Sequence, residues 1–386
     1  MINISRLYCG LAGQSDYLRY GDTNSLGPVI VYNCTRRCNL KCLHCYSSSG
    51  SDKNGNELTM AQAKQLLSQL AEVKCPVVLF SGGEPLLRSD LFELLEEARR
   101  LGLQTVISTN GTLIEPATSD RLAEVGVSYV GISIDGGQKF HDKFRQLNGS
   151  FKAALRGIEN CTAVSIKTGL RFTITKANIE QITAVFDTAA AANVRRICFY
   201  HLISSGRAKE LKDQVPTKQQ TRHVLDVIIE KTDDFVQKGL VDEVLTVGNH
   251  ADGPYLLTKI AEEMQNSKLQ TQKYQNAMLL LLSAGGNKIG EKIGCVSCDG
   301  SVHPDQFWHN YSLGNVKAQT FKLIWDNPDE PVLNKLRKKN KFANARCLKC
   351  KWFDLCKGNF RFLGANGNDA NWLNEPACYL MDEEIS

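Results

Sequence analysis

The sequence has no hydrophobic run long enough to span a bilayer, and residues 1–10 lack the apolar stretch of a secretory signal. It also lacks a strong charge of one sign, because 46 Lys and Arg against 41 Asp and Glu leave a net charge of only +5. So mild a balance indicates neither a nucleic acid nor a membrane surface as a partner. We therefore expect a cytoplasmic protein without nucleic-acid or membrane partners.

A disulfide framework is also absent, although the chain has 14 cysteines. Several of them fall in short Cys-x-x-Cys spacings, which indicate metal ligation in a reducing compartment. The others lie in or beside apolar runs and are expected to be small core residues: Cys9, Cys34, Cys75, Cys161 and Cys198. With 386 residues the chain is long enough for a sizeable core and an accessory domain.

Strand-like and helical patterns alternate from Pro28 onward. Six strands are expected, at Pro28–Asn33, Pro76–Phe80, Gln104–Thr109, Ser128–Ile134, Gly169–Ile174 and Arg195–Tyr200. Helices are expected after a capping box of Thr59 and Gln62, over Asp90–Leu101, near Thr118, over Phe151–Ala163, and after a cap at Asn178. Six βα units in series predict an α/β fold with a parallel sheet, whose chemistry collects at the carboxyl ends of the strands.

Three cysteines follow the first predicted strand directly: Cys38, Cys42 and Cys45. Four thiolates close a [4Fe–4S] cluster that only carries electrons, whereas three leave one iron open for a reacting ligand. A structural zinc site is the alternative, but zinc prefers a closed set of four ligands and no second cysteine pair lies nearby.

The C-x3-C-x2-C spacing after a strand resembles the signature of the radical S-adenosylmethionine (SAM) enzymes. The resemblance implies that SAM chelates the open iron and that one electron cleaves its C–S bond to give a 5′-deoxyadenosyl radical. It also implies a partial (β/α)6 TIM-like barrel. We expect an N-terminal extension over residues 1–27, this core over 28–215, a helical linker over 216–290 and an iron–sulfur extension over 291–386.

The run Ser81–Pro85 follows the second predicted strand. By itself a Gly-Gly pair is usually a turn, and it lets a backbone approach closely. In the radical SAM family this element binds the amino group of SAM, which implies that role for Gly82, Gly83 and Glu84.

Other SAM contacts are expected at strand ends. Arg171, a predicted buried arginine, needs an anionic partner, and the SAM carboxylate is the natural candidate. The resemblance suggests Ser133 near the ribose, His44 near the adenine and Asn110 at the end of the third strand. The alternative for each is a structural hydrogen bond.

Four cysteines near the C-terminal end, Cys347, Cys350, Cys356 and Cys378, have a spacing that resembles the SPASM/twitch extension of this superfamily. Full SPASM domains bind two auxiliary clusters, but Phe360 and Asp305 stand where further cysteines would be needed. We therefore predict one auxiliary [4Fe–4S] cluster held by the four cysteines, with a zinc knuckle as the alternative. Cys295 and Cys298 remain as a pair without an assigned role.

The chain as a whole resembles the radical SAM enzymes of alternative haem and haem d1 biosynthesis. The similarity is carried by Met1–Gly10, Tyr17–Gly21, Thr35–Cys42, Tyr200–Arg207, Asn249–Tyr255, His303–Trp308 and Glu375–Leu380. It implies removal of both acetate side chains of 12,18-didecarboxysiroheme to give Fe-coproporphyrin III. The close alternatives are a haem d1 enzyme that acts on propionates and a haem synthase that decarboxylates Fe-coproporphyrin III.

The reaction can be reasoned from the substrate. We hypothesise that the adenosyl radical takes a hydrogen beside a saturated ring carbon, and that the neighbouring C–C bond then breaks to expel the acetate arm. The fragment needs one electron and a proton, so we expect the auxiliary cluster to relay the electron and a low-potential ferredoxin or flavodoxin to donate it. Two acetates leave, so each product should consume two SAM.

An anionic iron tetrapyrrole also requires cationic and iron-binding groups. Arginines suit bidentate carboxylate binding, and Arg145, Arg207 and Arg361 are the candidates from their motif positions. His201, His250, His303 and His309 are the candidates for an axial ligand to the substrate iron, and the alternative for each is a structural role. His201, Arg207 and Cys295 are the catalytic candidates.

Two other classes of function have less support from the sequence. Peptide-modifying SPASM enzymes usually have a peptide-binding domain before the first strand, and about thirty residues leave no room for one. A non-enzymatic iron–sulfur scaffold would have no use for Glu84 and Arg171 as SAM ligands, so SAM binding would separate it from an enzyme.

Overall fold

The computed structural model describes residues 1–13, 16–51, 56–263, 268–339, 343, 345–359 and 377–386. Its strands are β1 (Ile2–Asn3), β2 (Val29–Thr35), β3 (Val77–Gly82), β4 (Gln104–Thr109), β5 (Tyr129–Ser133), β6 (Thr168–Ile174), β7 (Arg196–His201), β8 (Glu243–Val247), β9 (Ile293–Ser297), β10 (Ser301–His303) and β11 (Gly314–Asn315).

All eleven strands belong to one sheet, in the order β1-β8-β7-β6-β5-β4-β3-β2-β9-β10-β11. The strands from β2 to β8 lie side by side in chain order and all run parallel. The edges are antiparallel, with β1 on β8 and β10 between β9 and β11. The predicted α/β class, the parallel sheet and the six core strands β2–β7 are thereby confirmed.

The described helices are α1 (Ile4–Leu7), α2 (Asp16–Tyr20), α3 (Met60–Glu72), α4 (Leu91–Arg100), α5 (Pro116–Glu124), α6 (Gln138–Arg145), α7 (Ser150–Ala163), α8 (Ile182–Ala191), α9 (Lys218–Gln237), α10 (Asp252–Glu262), α11 (Lys268–Ala284), α12 (Phe321–Trp325), α13 (Pro331–Arg337), α14 (Ala345–Leu348), α15 (Phe353–Cys356) and α16 (Asp382–Ile385). Thr59 and Gln62 form the predicted capping box of α3. Asn178 does not cap α8, because it is the third residue of the 3-10 segment Lys176–Gln181, which Thr175 caps.

The region predicted as a helical linker, residues 216–290, contains α9, α10 and α11 and also a strand. This strand, β8, pairs in parallel with β7, so that Tyr200 lies opposite Val247. Farther along, β9 pairs in parallel with β2, so that Asn33 lies opposite Ser297. The C-terminal part of the chain therefore extends the same sheet that carries the loop with Cys38, Cys42 and Cys45.

The core lies between the sheet and its helices, because apolar residues occupy one face of the strands. In β6 they are Leu170, Phe172 and Ile174, all buried, and they alternate with Arg171 and Thr173 on the opposite face. In α4, Leu91, Leu94, Leu95 and Ala98 recur at helical spacing and are all buried. The cysteines predicted as core residues are buried, except Cys9, which is half-buried. None of the described helices combines the length and the apolarity needed to cross a membrane.

Candidate functional site

The loop that follows β2, residues 36–50 and here named the cysteine loop, contains Cys38, Cys42 and Cys45. Its two ends are tied together, since the amide of Cys38 donates to the carbonyl of Gly50 at 2.7 Å. Burial raises the pKa of the Cys38 thiol to about 12, and the nearby thiols of Cys42 and Cys45 contribute to this increase. The fold therefore brings the three predicted ligands into one loop at the carboxyl end of the sheet.

Each of the three thiols has a hydrogen-bond partner that suits a thiolate. The amide of Leu40 lies 3.4 Å from the sulfur of Cys38, and Ser47 Oγ lies 3.4 Å from the sulfur of Cys45. A guanidinium nitrogen of Arg145 lies 3.7 Å from the sulfur of Cys42. Donors of this kind stabilise the negative charge that thiolate ligands and their cluster carry. Within the described parts of the chain, no three Cys, His, Asp or Glu side chains converge on one metal ion.

The paired glycines after β3 pack against the backbone of the cysteine loop. The amide of Gly83 donates to the carbonyl of Thr35 at 2.7 Å. A Cβ atom at Gly83 would lie 2.1 Å from the carbonyl oxygen of Arg37, so only glycine fits there. The sequence predicted a close approach at this point, and the partner in the structure is the protein's own loop.

Glu84 is fully buried and its carboxylate is held by the end of β4. It accepts from the hydroxyl of Thr109 at 2.7 Å and from the amide of Asn110 at 2.8 Å. Burial raises the pKa of Glu84 to about 7 despite these bonds. Asn110 in turn donates to Asn39 in the cysteine loop at 2.9 Å. Two predicted SAM contacts, Glu84 and Asn110, therefore lie together beside Cys38.

Arg171 lies on β6 with a guanidinium that is only partly satisfied. One terminal nitrogen donates to Ser108 at 2.6 Å, while the buried Nε has no hydrogen-bond partner among the described residues. Its neighbour in register on β5 is Ser133, whose hydroxyl lies 3.4 Å from the carbonyl of Thr109. No described carboxylate pairs with Arg171, and a buried guanidinium of this kind suits an anionic ligand such as a carboxylate.

His44 is packed on helix α6. Its ring stacks on Phe144 with centroids 4.4 Å apart, and its Nε2 lies 3.7 Å from the carboxylate of Asp135. Burial lowers the pKa of His44 to about 4, so the ring is neutral at pH 7. The adenine contact predicted for this side chain remains a prediction.

Arg207, predicted for substrate carboxylates, is directed to the cysteine loop instead. Its Nε donates to the carbonyl of Cys42 at 2.9 Å and its Nη1 to that of Ser49 at 2.7 Å. Its backbone amide donates to the carbonyl of Cys45 at 2.9 Å. The guanidinium therefore supports the loop. Arg361, another predicted substrate residue, lies outside the described residues.

His201 was expected at a strand end facing the pocket. It is the last residue of β7. Side chains alternate between the two faces of a strand, so His201 lies on the same face of the sheet as Phe199, whose ring packs against Phe186 of α8. Its Nε2 lies 2.9 Å from Asp252, whose other oxygen accepts from Tyr379 at 2.8 Å. His201 therefore belongs to a buried network with Asp252 and Tyr379, and its proposed place in the substrate pocket stays a prediction.

The other predicted histidines have different surroundings. Both ring nitrogens of His303 are hydrogen-bonded, to Ser297 at 3.0 Å and to the carbonyl of Tyr311 at 2.6 Å. His309 stacks on Tyr46 of the cysteine loop with centroids 5.7 Å apart. The amide of His250 donates to the side chain of Asn359.

Cys295 lies on β9 beside the cysteine loop. Its sulfur is fully buried and accepts from Asn33 at 3.4 Å, and Asn33 also accepts from the hydroxyl of Tyr46 at 3.0 Å. Nearby Asp305 is buried, and that burial raises its pKa to about 7. The sequence contained no signal for this contact, because it depends on the pairing of β9 with β2.

Of the four C-terminal cysteines, Cys347 lies in helix Ala345–Leu348 and Cys356 ends helix Phe353–Cys356. Cys350 lies between these helices, and Cys378 lies in the final segment. Arg346 donates to the sulfur of Cys378 at 3.2 Å, and the Cys378 thiol contributes to the raised pKa of Cys350, which is due chiefly to burial. The amide of Cys350 bonds the carbonyl of Cys347, and the carbonyl of Cys356 accepts from Asn287. Phe360, predicted to stand where a further ligand would be needed, lies outside the described residues.

Comparisons with known families and structures agree with this arrangement. The family model for the radical SAM superfamily matches residues 32–189, and that for the SPASM iron–sulfur cluster-binding domain matches residues 289–351. The solved structure of native anSMEcpe with bound AdoMet has a TM-score of 0.69 at 21% identity, covering 93% of this chain and 95% of that one. SuiB of Streptococcus suis bound to S-adenosylmethionine also has a TM-score of 0.69, at 19% identity, covering 92% and 78%.

Curated relatives are more similar in sequence. The Fe-coproporphyrin III synthase of Methanosarcina barkeri is 45% identical over 400 residues, covering 100% of this chain and 99% of that protein. The pre-heme d1 synthase of Dinoroseobacter shibae is 36% identical over 359 residues, covering 92% and 87%. This chain therefore belongs to the radical SAM enzymes with a SPASM domain, in the group of AdoMet-dependent heme synthases that includes both relatives. Its cofactors are SAM and two [4Fe–4S] clusters.

Proposed function

We propose that this enzyme removes the two acetate side chains of 12,18-didecarboxysiroheme and releases Fe-coproporphyrin III. The observation that carries the proposal is the 45% identity to an Fe-coproporphyrin III synthase over the full length of both chains. A reaction on propionates is the second candidate, since a pre-heme d1 synthase matches at 36% over 92% of this chain.

Residues on the cysteine loop and the neighbouring strand ends would bind the cluster and SAM. Cys38, Cys42 and Cys45 would be the cluster ligands, and the open iron would take SAM. When bound, these groups supply the 5′-deoxyadenosyl radical. Glu84, fixed by Thr109, can accept from the amino group of SAM. Arg171 has the unpaired Nε that a carboxylate of SAM would satisfy.

The remaining predicted SAM contacts border the same strand ends. Gly82 and Gly83 allow the close packing that holds Glu84 at the loop. Asn110 and Ser133, at the ends of β4 and β5, are proposed to contact the bound SAM, and His44 its adenine.

The auxiliary cluster would be held by Cys347, Cys350, Cys356 and Cys378. Arg346, beside Cys378, offers a cation to the thiolate charge of this set. When bound, such a cluster would supply electron transfer toward the expelled acetate fragment, and a low-potential ferredoxin or flavodoxin would be the external donor.

The anionic iron tetrapyrrole is proposed to bind at the carboxyl edge of the sheet. Cys295 is the remaining catalytic candidate there. It contacts Asn33, which in turn accepts a hydrogen bond from Tyr46 of the cysteine loop. Arg207 and His201 would act through the cysteine loop and the Asp252 network, respectively.

The experiment that tests the function is a mass spectrum of the tetrapyrrole after anaerobic incubation of the reconstituted protein with didecarboxysiroheme, SAM and a strong reductant. Loss of both acetates with two 5′-deoxyadenosines per product is expected. Loss of propionates with the acetates retained would make the chain a haem d1 enzyme. Unchanged substrate beside abundant 5′-deoxyadenosine would exclude this substrate.

A matched pair of cysteine variants serves as the control. Cys42→Ala should abolish both the product and 5′-deoxyadenosine, because it removes a proposed cluster ligand. Cys161→Ala alters a fully buried cysteine of the core, away from the cysteine loop, and should keep the product. Equal loss in both variants would contradict the ligand assignment.

A further inference from the structure

We propose that Arg145, fixed by Asp135, raises the reduction potential of the cluster bound at the cysteine loop by holding a positive charge at the sulfur of Cys42. The inference rests on the proposed cluster ligands and is independent of the tetrapyrrole. It gives Arg145 a role different from the substrate binding predicted from its motif position.

Arg145 is the last residue of α6, and its guanidinium is buried. Its Nε and Nη2 lie 2.7 and 2.6 Å from the same carboxylate oxygen of Asp135. Its remaining terminal nitrogen, Nη1, points to the sulfur of Cys42 at 3.7 Å. The planar fork of an arginine therefore connects a fixed carboxylate to a cluster ligand, which a lysine could not do with the same geometry.

Asp135 is held as firmly as its partner. It follows β5, its side chain is fully buried, and its other oxygen accepts from the amide of Thr173 on β6 at 2.9 Å. Its own amide donates to the ring nitrogen Nδ1 of His141 at 3.2 Å. The position of the guanidinium is therefore set by two strands of the sheet as well as by α6.

The same helix also positions the loop. The amide of Leu43 donates to the carbonyl of Phe144 at 3.1 Å, and the ring of His44 stacks on that of Phe144. Because the loop is anchored to α6 directly after Cys42, and Arg207 binds the carbonyl of Cys42 itself at 2.9 Å, the position of the Cys42 sulfur relative to Arg145 is constrained. Cys42 and Arg145 are exposed by only 7% and 8%, so water screens this interaction little.

The electrostatic effect has a definite sign. A reduced cluster carries one more negative charge than the oxidised cluster, so a nearby cation stabilises the reduced form more. Net charge and hydrogen bonds to the sulfurs are established determinants of cluster potentials. Arg145 should therefore make the cluster easier to reduce, and the carboxylate of Asp135 should partly offset this effect.

The test is an anaerobic redox titration of the full-length reconstituted protein. The titration is monitored by the part of the electron paramagnetic resonance signal that changes when SAM is added. Arg145→Gln should shift the midpoint potential to a more negative value, and Arg145→Lys should restore part of the shift. Asp135→Asn should shift it in the opposite direction, because the guanidinium then keeps its charge without the neighbouring carboxylate. Lys143→Gln removes a charge from the exposed side of the same helix and should cause no shift.

The opposite signs distinguish a charge effect from a structural one. If Arg145 had only a packing role, Arg145→Gln and Asp135→Asn would shift the midpoint potential in the same direction, or both variants would lose their iron. Either result overturns the proposal, as does an unchanged potential in an Arg145→Gln protein with full iron content. The titration contains no tetrapyrrole, so its outcome is separate from that of the proposed deacetylation.

Discussion

Asp305 is a buried carboxylate without a cation among its described partners. Its Oδ1 accepts from the amide of Phe307 at 2.7 Å, and burial raises its pKa to about 7. A carboxyl group whose pKa is higher in the folded than in the unfolded chain favours folding at low pH. That contribution is lost as the pH rises from the pKa of the group in the unfolded chain, about 4, through its pKa in the folded chain, about 7.

Asp305→Asn should therefore change the pH dependence of stability. The amide oxygen can still accept from Phe307, and the neutral side chain avoids the cost of burying a charge. We expect a gain of about 2 kcal/mol at pH 8 and little difference at pH 4, measured as the shift in urea unfolding under anaerobic conditions. Asp299→Asn, in the nearby turn, is the control, and an equal gain there would contradict the explanation.

Arg207 gives a prediction about the cluster itself. Arg207→Met removes the two side-chain bonds to the carbonyls of Cys42 and Ser49. The cysteine loop should then bind its cluster poorly, so iron should fall from about eight to about four per chain while the auxiliary cluster remains. Iron and sulfide analysis measures this change. Lys209→Met, in the same segment, should keep all the iron.

Residue types with a known chemical requirement could be predicted from the sequence, whereas their partners could not. The spacing of Cys38, Cys42 and Cys45 is a local property, so the sequence alone could locate the loop, and the role of its cysteines as cluster ligands stays a prediction. The contact of Arg145 with Asp135 and Cys42 depends on how α6, β5 and the loop meet in space. A motif position alone therefore suggested substrate carboxylates for Arg145 and Arg207, and the structure shows closer partners.

At the scale of elements, the turn after β3 and the cysteine loop act as one unit. Gly83 packs with its Cα against the carbonyl of Arg37, and the next amide, that of Glu84, donates to this carbonyl at 2.8 Å. This packing joins the carboxylate proposed for SAM to the ligands proposed for the cluster. A change in the turn should therefore affect both functions together.

Gly83→Ala tests this coupling. Its Cβ would come within 2.1 Å of a backbone oxygen, so the turn and the loop must separate. We expect a loss of about 2–4 kcal/mol in stability and a large loss of both iron and SAM binding, measured by urea unfolding, iron analysis and equilibrium dialysis. Gly50→Ala, in the same loop, meets nothing within 4 Å and should keep both.

Strand prediction was accurate where apolar runs are bounded by turn residues, and β4 matches its predicted range residue for residue. The strands β8 and β9 were not predicted. Each is only five residues long, and β9 contains Gly and Cys, so neither has a strong strand pattern. Their place in the sheet depends on pairing with distant strands, which periodicity cannot reveal.

At the scale of the whole molecule, a buried network connects the C-terminal end of the chain to the sheet. Tyr379 donates to Asp252 at the start of α10, and Asp252 pairs with His201 at the end of β7. Tyr379 directly follows Cys378, a proposed ligand of the auxiliary cluster. The network therefore anchors that ligand to the radical SAM core.

Tyr379→Phe should weaken this anchor and leave the core intact. It removes one hydrogen bond to a buried carboxylate, which costs about 1–3 kcal/mol. We expect less auxiliary-cluster iron and an unchanged SAM-sensitive signal, measured by iron analysis and electron paramagnetic resonance. Tyr17→Phe, an exposed tyrosine, is the control. A loss confined to the SAM-binding cluster would contradict the anchoring role.

The pairing of β2 with β9 has a consequence for how the enzyme is made. Asn33, at the base of the cysteine loop, contacts Cys295, which comes 262 residues later in the chain. During synthesis the strand that leads into the cysteine loop therefore has an open edge until residues 293–297 have left the ribosome. Contacts of such sequence separation form late and slowly, and an unpaired strand edge invites aggregation. The SAM-binding cluster should therefore be inserted only after β9 has paired with β2.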